Sequence, residues 1–360
     1  MAASFGTTVD SAAPPVMKTV ERTSPRSTTP KFDLKQSGFL QMRLFGLLPH
    51  IPAYPSFGRG HRQRRQYDAG RSVVFFHVPK TSGSAVTAGL VAALSPQRFL
   101  AAYDRTGYGS FEDFDSMAPE LKSNLYLDAR DLPPGSDFVA GHCAFSTFWA
   151  KYPEAQFVSF LREPVSRLLS FWLFWRAYTD NDLVPWGLWG DKVRLSRKPL
   201  QDFLGAPDIA CHTDNLLTRL LLWPDPLVPD DGFIDHRNDK TILAKAKSRL
   251  NQFAYVDVIE NPQFMQSLAA WLGRPVNYPV VNETKATPAQ LTMPLHEAFT
   301  PDAMRLLEER TRLDLPLWTV VAEQMVASPD AAKLRDRTLM LNVARHSQLL
   351  MRHAIQHGPG

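Results

Sequence analysis

Val73-Val74-Phe75-Phe76-His77-Val78-Pro79-Lys80-Thr81-Ser82-Gly83-Ser84-Ala85 is the stretch that decides how this chain is read. Its first six residues form a short, β-branched and aromatic apolar run, which predicts a buried strand. A polar turn with proline and glycine follows, and the small residues of 85–94 predict a helix. The same order recurs downstream. Residues 138–140 predict a second short strand and 156–161 a third, followed by a helix with Pro164 in its first turn. Residues 253–259 predict a fourth strand, and Asn261-Pro262 opens another helix. Strands alternating with helices at these lengths predict an α/β fold with a central parallel sheet and helices on both faces. No internal repeat is visible.

Composition limits the alternatives. A hydrophobic content of 44% with 21% charged residues is that of a globular chain and excludes wholesale disorder. Two cysteines, Cys143 and Cys211, cannot form a disulfide framework or a four-cysteine zinc site. No apolar run approaches the roughly 18 residues of a membrane span, and the first 30 residues lack a secretion-type apolar core. A soluble protein is expected. The net charge of +4 is unevenly spread. Residues 1–70 hold ten Lys/Arg and four acids, whereas the remainder holds 30 and 32. The basic balance belongs to the leader, and the near-neutral body disfavours a nucleic-acid-binding domain.

Three regions are expected: a flexible basic leader over 1–70, a folded main domain over 71–326, and an amphipathic helix and tail over 327–360. The leader carries an apolar patch at 39–51 and the cluster His61-Arg62-Gln63-Arg64-Arg65, read as a solvated tail or as an address or anion-contact segment. The last third is mostly helical. Thr300-Pro301 and Ser328-Pro329 each read as an N-cap followed by proline at the first helical position. The terminal amphipathic segment is expected to pack on the body rather than on a second subunit.

A loop between a buried strand and a helix is a ready anion site, because free amides and the helix dipole converge there. Thr81, Ser82 and Ser84 add hydroxyls, Gly83 admits close backbone approach, and Lys80 adds a point charge. Such a loop suits a nucleotide phosphate, and on its own it equally suits a plain strand–turn–helix connection. It is not a Walker A loop. With Lys80-Thr81 as the Lys-Ser/Thr pair, glycines would be needed at 79 and 74, where Pro79 and Val74 stand.

The third strand leads into Arg162-Glu163-Pro164-Val165-Ser166-Arg167-Leu168-Leu169-Ser170. Arg162 stands where a strand ends, the edge at which open α/β sheets bind ligands. Ser166 and Ser170 are four apart and share a helix face. Arg162 and Ser170 can hold a second phosphate as a fork and a hydroxyl.

Together the two segments resemble the 5′-phosphosulfate loop and the 3′-phosphate motif of sulfotransferases that use 3′-phosphoadenosine-5′-phosphosulfate (PAPS). The resemblance is to the branch of the heparan 2-O- and 6-O-sulfotransferases and their bacterial relatives, and it extends over about 72–325. Gly141-His142-Cys143-Ala144-Phe145 looks like that family's Gly-His segment, and Asn215-Leu216-Leu217-Thr218-Arg219 like its Asn-x-x-Thr-Arg helix. Residues 253–260 resemble its glutamate-ended strand, with Val258 where threonine is common. Asn282-Glu283-Thr284-Lys285 looks like its late asparagine-led loop. The resemblance implies a P-loop-like three-layer fold. It implies a donor site of Lys80, Thr81, Ser82, Gly83, Ser84, Ala85, Arg162, Ser170 and Arg219, with PAPS as donor and no metal.

In such an enzyme the acceptor hydroxyl needs a base and the departing bisphosphate needs positive charge. His142 is the candidate base, since neutral imidazole is available near pH 7, and its strand is expected to neighbour both phosphate-binding strands. Lys80 is the candidate for the leaving phosphate. His77, at the end of a buried strand, reads as structural, and His212, His236 and His296 have no motif around them. Trp186 and Trp189 are expected to pack in their own loop more than to meet an acceptor.

The expected activity is sulfuryl transfer to a hydroxyl of a carbohydrate or glycolipid. A kinase-like phosphotransferase and a non-catalytic nucleotide-binding scaffold are the alternatives. The first is weakened by the missing Walker A glycines, and the second by the presence of Lys80 and His142. A cytoplasmic location is expected, with the leader as an alternative organelle signal. The near-neutral body points to a neutral or weakly charged acceptor.

Overall fold

A computed structural model of the chain describes residues 66–277, 295–326 and 330–357. Six strands form one sheet: β1 Val73–Phe76, β2 Phe99–Asp104, β3 Leu125–Tyr126, β4 Phe138–His142, β5 Gln156–Leu161 and β6 Tyr255–Val258. Every pairing is parallel, and the order across the sheet is β3-β2-β4-β1-β5-β6. The helices that build and cover it are α1 Gly83–Leu94, α2 Phe145–Lys151, α3 Pro164–Arg176, α4 Leu216–Leu222, α5 Asp239–Leu250, α6 Phe264–Leu272, α7 Pro301–Thr311, α8 Asp314–Met325 and α9 Ala331–His357.

The period-2 alternation of the strands sorts their side chains onto two faces. Val73, Phe75, Phe138, Ala140, Val158 and Phe160 pack with Val86 and Leu90 of α1 and Leu268 of α6. Val74, Phe76, Val139, Phe157 and Leu161 pack on the other side with α2, α4, α5 and α8. The result is the three-layer α/β arrangement expected from the alternation of elements. Strands buried on both faces explain why β1 reads as an unbroken apolar run and β5 as one that Ser159 alone interrupts after Gln156.

β2 and β3 escaped the sequence reading. Phe99-Leu100-Ala101-Ala102-Tyr103-Asp104 contains no β-branched residue and has two alanines at its centre, so nothing marks it as strand rather than helix. β3 has two residues. β2 also separates β4 from the edge, and β4 pairs with β1 and β2 but not with β5. The expectation that the His142 strand neighbours both phosphate strands is therefore corrected. β1 lies between β4 and β5, so the His142 strand neighbours the strand of the Lys80 loop and is one strand removed from that of Arg162.

Thr300 caps α7, accepting from the Ala303 amide at 3.1 Å with Pro301 next in line. Ser328-Pro329, nearly all of the leader and Asn282-Glu283-Thr284-Lys285 lie outside the described residues. The terminal helix α9 packs on the body, with Leu339 and Val343 buried. Among the described residues no helix is long and apolar enough to cross a membrane.

Candidate active site

The sheet order has its switch at β1, with β4 on one side and β5 on the other. The carboxyl ends of these three strands form the crevice in which open α/β folds take ligands. His142 ends β4, the 77–82 loop follows β1, and Arg162 follows β5.

The loop after β1 is bent by two left-handed residues, Lys80 at φ 70° and Ser82 at φ 64°. Such conformations are uphill for residues with a Cβ, by about 1–3 kcal/mol each. The surrounding structure holds them. Thr81, fully buried, donates its hydroxyl to the Val78 carbonyl at 2.8 Å. Left-handed residues within a loop are the backbone setting in which anion-binding nests form. Ser82 is the N-cap of α1 without a side-chain bond to it, and Val86 is the amide that bonds back to the Ser82 carbonyl. The amides of Gly83, Ser84 and Ala85 precede that first backbone bond and are available to a guest. No acid stands in the first turn of α1 to compete for them.

Gly83 is required by its neighbour. A Cβ there would lie 1.6 Å from His77 Nε2. The His77 ring also stacks on Phe75, with centroids 5.3 Å apart, and lies 4.3 Å from the His142 ring. Burial, then the charges of His142 and Lys80, hold His77 well below the ordinary imidazole range. It is a neutral packing residue under the loop.

Gly141 has a comparable cause, since a Cβ there would sit 1.7 Å from the Ala102 carbonyl oxygen. Strand β2 thus passes too close for any side chain just before His142. Asp104, at the end of β2, accepts from the Ala144 amide at 2.8 Å and from the Thr147 hydroxyl at 2.7 Å. These bonds fix the turn that follows His142.

His142 Nδ1 donates to the His77 carbonyl at 2.7 Å. A carbonyl only accepts, so the proton sits on Nδ1 and the lone pair on Nε2. Burial lowers its pKa to about 4; the bond to His77 opposes this, and the Lys80 charge adds to it. The ring is neutral at pH 7. Tyr103, half exposed on the neighbouring strand, meets it edge-on at 5.4 Å.

Lys80 rests its ammonium 3.8 Å above the Phe174 ring. Burial and the nearby Arg162 lower its pKa to about 8. Arg162 donates Nη1 to the Lys80 carbonyl at 3.2 Å, which ties the β5 end to the loop. Glu163 caps α3 by accepting from the Val165 and Ser166 amides, and its own amide donates to Glu260 at 2.8 Å. Burial raises Glu260 to about 7, against its bonds from Glu163 and Trp318 and the charge of Arg162. Along α3 the Ser166 hydroxyl is buried without a partner, and Ser170 is half-buried one turn on. Arg167, 3% exposed, has Nε and Nη1 without hydrogen-bond partners. Such groups are uncommon in a core. Arg167 is a candidate that the sequence reading left out, although it stands inside the quoted motif.

The structure brings Lys80, Thr81, Ser82, Gly83, Ser84, Ala85, Arg162 and His142 to the carboxyl ends of the strands, and Ser170 stands on α3 one turn before Phe174, the ring under Lys80. Arg219 differs. It is 3% exposed, and its guanidinium is used by the Asp214 carboxylate at 2.9 Å and by the Asp214, Pro229 and Gly232 carbonyls. Four of its five N–H groups are thus taken inside the protein, which argues against its assignment to the donor site. The rest of that segment is equally architectural. Asp314 accepts from the Leu217 and Thr218 amides and the Thr218 hydroxyl, and Asn215 Oδ1 accepts from the Leu313 amide. The segment clasps α4 to the start of α8.

Trp189 is buried against Tyr108 and Trp175, while Trp186 is half-buried near Tyr178. His212 is stacked on Phe171 and pushed by burial to about 3. Among the described residues, no group of three His, Cys, Asp or Glu side chains is placed to hold a metal ion. No protein-family model matches the chain, and no curated protein matches its sequence.

Proposed function

We propose that this chain is a PAPS-dependent sulfotransferase acting on a hydroxyl acceptor. The observation that carries the reading is the placement of His142, the Lys80 loop and Arg162 on three adjacent strand ends. A bisphosphorylated nucleotide spans such an edge with one phosphate on the loop amides and the other on Arg162. The residues suit that guest: a strained amide-rich loop, a lysine, an arginine fork and serine hydroxyls, with no metal needed for the charge.

In the transfer, the acceptor oxygen forms a bond to sulfur as the bond from sulfur to the phosphate oxygen breaks. The acceptor proton passes to His142 Nε2, and adenosine 3′,5′-bisphosphate departs with the bonding electrons. Lys80 leaves Phe174 to meet the growing charge on that leaving group. A polyanionic donor beside them raises the pKa of both His142 and Lys80, strengthening the base and keeping the ammonium charged. Positioning and electrostatics supply most of the acceleration.

The acceptor side of His142 and Lys80 is aromatic, with Tyr103 and Phe174 40% and 42% exposed. Ring faces of this kind suit a sugar or another uncharged ring-bearing alcohol. This favours a carbohydrate or glycolipid over a polyanion.

The test is donor recognition. Adenosine 3′,5′-bisphosphate should raise the melting temperature, and Arg162→Ala should weaken its binding far more than that of AMP, which lacks the 3′-phosphate. Equal losses for the two nucleotides would refute the assignment of Arg162. PAPS turnover with His142→Ala should fall by about 10²–10⁴-fold with donor affinity retained.

A further inference from the structure

Arg162 is already occupied by the far end of the chain. In α9 the residues Arg335, Leu339, Asn342, Val343 and His346 recur at intervals of three, four and seven, and so share one helix face. Leu339, Val343 and His346 of this face are buried at 8%, 7% and 4% exposure. Arg335, 3% exposed, lies 3.3 Å from a carboxylate oxygen of the fully buried Glu163. Two turns along, Asn342 Oδ1 accepts from Arg162 Nη2 at 2.7 Å.

The Asn342 amide is oriented by its own helix, because its Nδ2 donates to the Thr338 carbonyl at 2.9 Å. That bond aims the amide oxygen at the guanidinium. With Nη1 on the Lys80 carbonyl, both arms of the Arg162 fork end on uncharged oxygens. These two arms are the ones a phosphate would take together. Burial lowers the pKa of Arg162 against the charges of Glu260 and Glu163, and Arg345, one turn from Asn342, adds to the lowering.

We propose that Asn342 is a displaceable stand-in for one oxygen of the nucleotide's 3′-phosphate, and that α9 thereby sets donor affinity. The inference rests on the sulfotransferase reading for the identity of the guest. A phosphate offers Arg162 a charge-assisted bond in place of a neutral one, so it displaces the amide. The apparent affinity is reduced by the fraction of molecules in which Asn342 holds the fork. A carboxylate at 342 would form an ion pair with Arg162 and hold the site closed, whereas asparagine leaves the exchange open. The neutrality of the residue is thus part of the device.

The experiment titrates the full-length chain with adenosine 3′,5′-bisphosphate and with AMP by calorimetry, with urea midpoints to confirm folding. Asn342→Ala should tighten the bisphosphate by about tenfold or more, the scale of one hydrogen bond to a charged group, and leave AMP unchanged. Asn342→Asp should weaken the bisphosphate by at least as much, again sparing AMP. A wild type that prefers the bisphosphate, with Asn342→Ala unchanged or weakened, overturns the stand-in while leaving the donor reading intact. A wild type that binds the bisphosphate no better than AMP defeats the donor reading itself, and this inference with it.

Discussion

Replacing Gly83 by alanine tests whether the loop geometry rests on His77. The new methyl would meet three ring atoms of His77 at 1.6, 1.9 and 2.1 Å, so the imidazole must leave its place. Alanine is otherwise the better helix residue by about 1 kcal/mol. Against that gain stand an overpacking cost of about 1–3 kcal/mol and the loss of the ring's contacts with Phe75 and His142. A net destabilisation of about 1–2 kcal/mol is expected in urea denaturation at pH 7. A displaced ring also intrudes on the loop, so bisphosphate affinity should fall. His77→Ala vacates the space. In the double variant the methyl occupies part of it, with a favourable coupling of about 1–3 kcal/mol and partial recovery of nucleotide binding. Two substitutions that add to within about 0.5 kcal/mol would refute the claim that His77 dictates glycine at 83.

The other predictions concern charge. Because His142 must be neutral and Lys80 charged, kcat/KM should be flat near neutrality, falling below about pH 4 and above about pH 8; an acid limb at the ordinary imidazole pKa would contradict the buried base. Histidines 77, 142 and 212 are all depressed in the folded state, so the unfolded chain binds more protons below about pH 6.5. Stability should therefore be lost as pH falls from 7 to 5, by at most about 2 kcal/mol per histidine, and a urea midpoint that holds steady over that range would count against their burial. Arg219→Ala should destabilise by about 3–5 kcal/mol by stripping Asp214 of its closest ion-pair partner, yet leave bisphosphate affinity of the folded fraction unchanged; a selective loss of donor binding would restore Arg219 to the site. With donor binding saturated, kcat/KM for the preferred acceptor should change little between low and moderate salt, whereas a steep decline would indicate a polyanionic acceptor.

Strand alternation made the fold legible, because a strand covered on both faces is mostly apolar: β1 is wholly so, and β5 and β6 are apolar runs that carry only Gln156 and Ser159, and Asp257. The loop and the arginine motif were legible for the same reason, since each follows directly on such a strand. β2 was not, because its apolar residues include two alanines and no β-branched side chain to mark them as a strand. Four things were decided by the tertiary structure alone. Strand order put β1 between the other two site strands. A close approach of β2 made Gly141 obligatory. Asp214 and three carbonyls consumed Arg219, turning a segment that read as donor-binding into a clasp. The contact between Arg162 and Asn342 joins residues 180 positions apart in sequence. Local sequence encodes what neighbouring residues impose on one another through periodicity and backbone freedom. Which distant groups satisfy a buried charge depends on how the layers close, and that is settled only when the whole chain has packed.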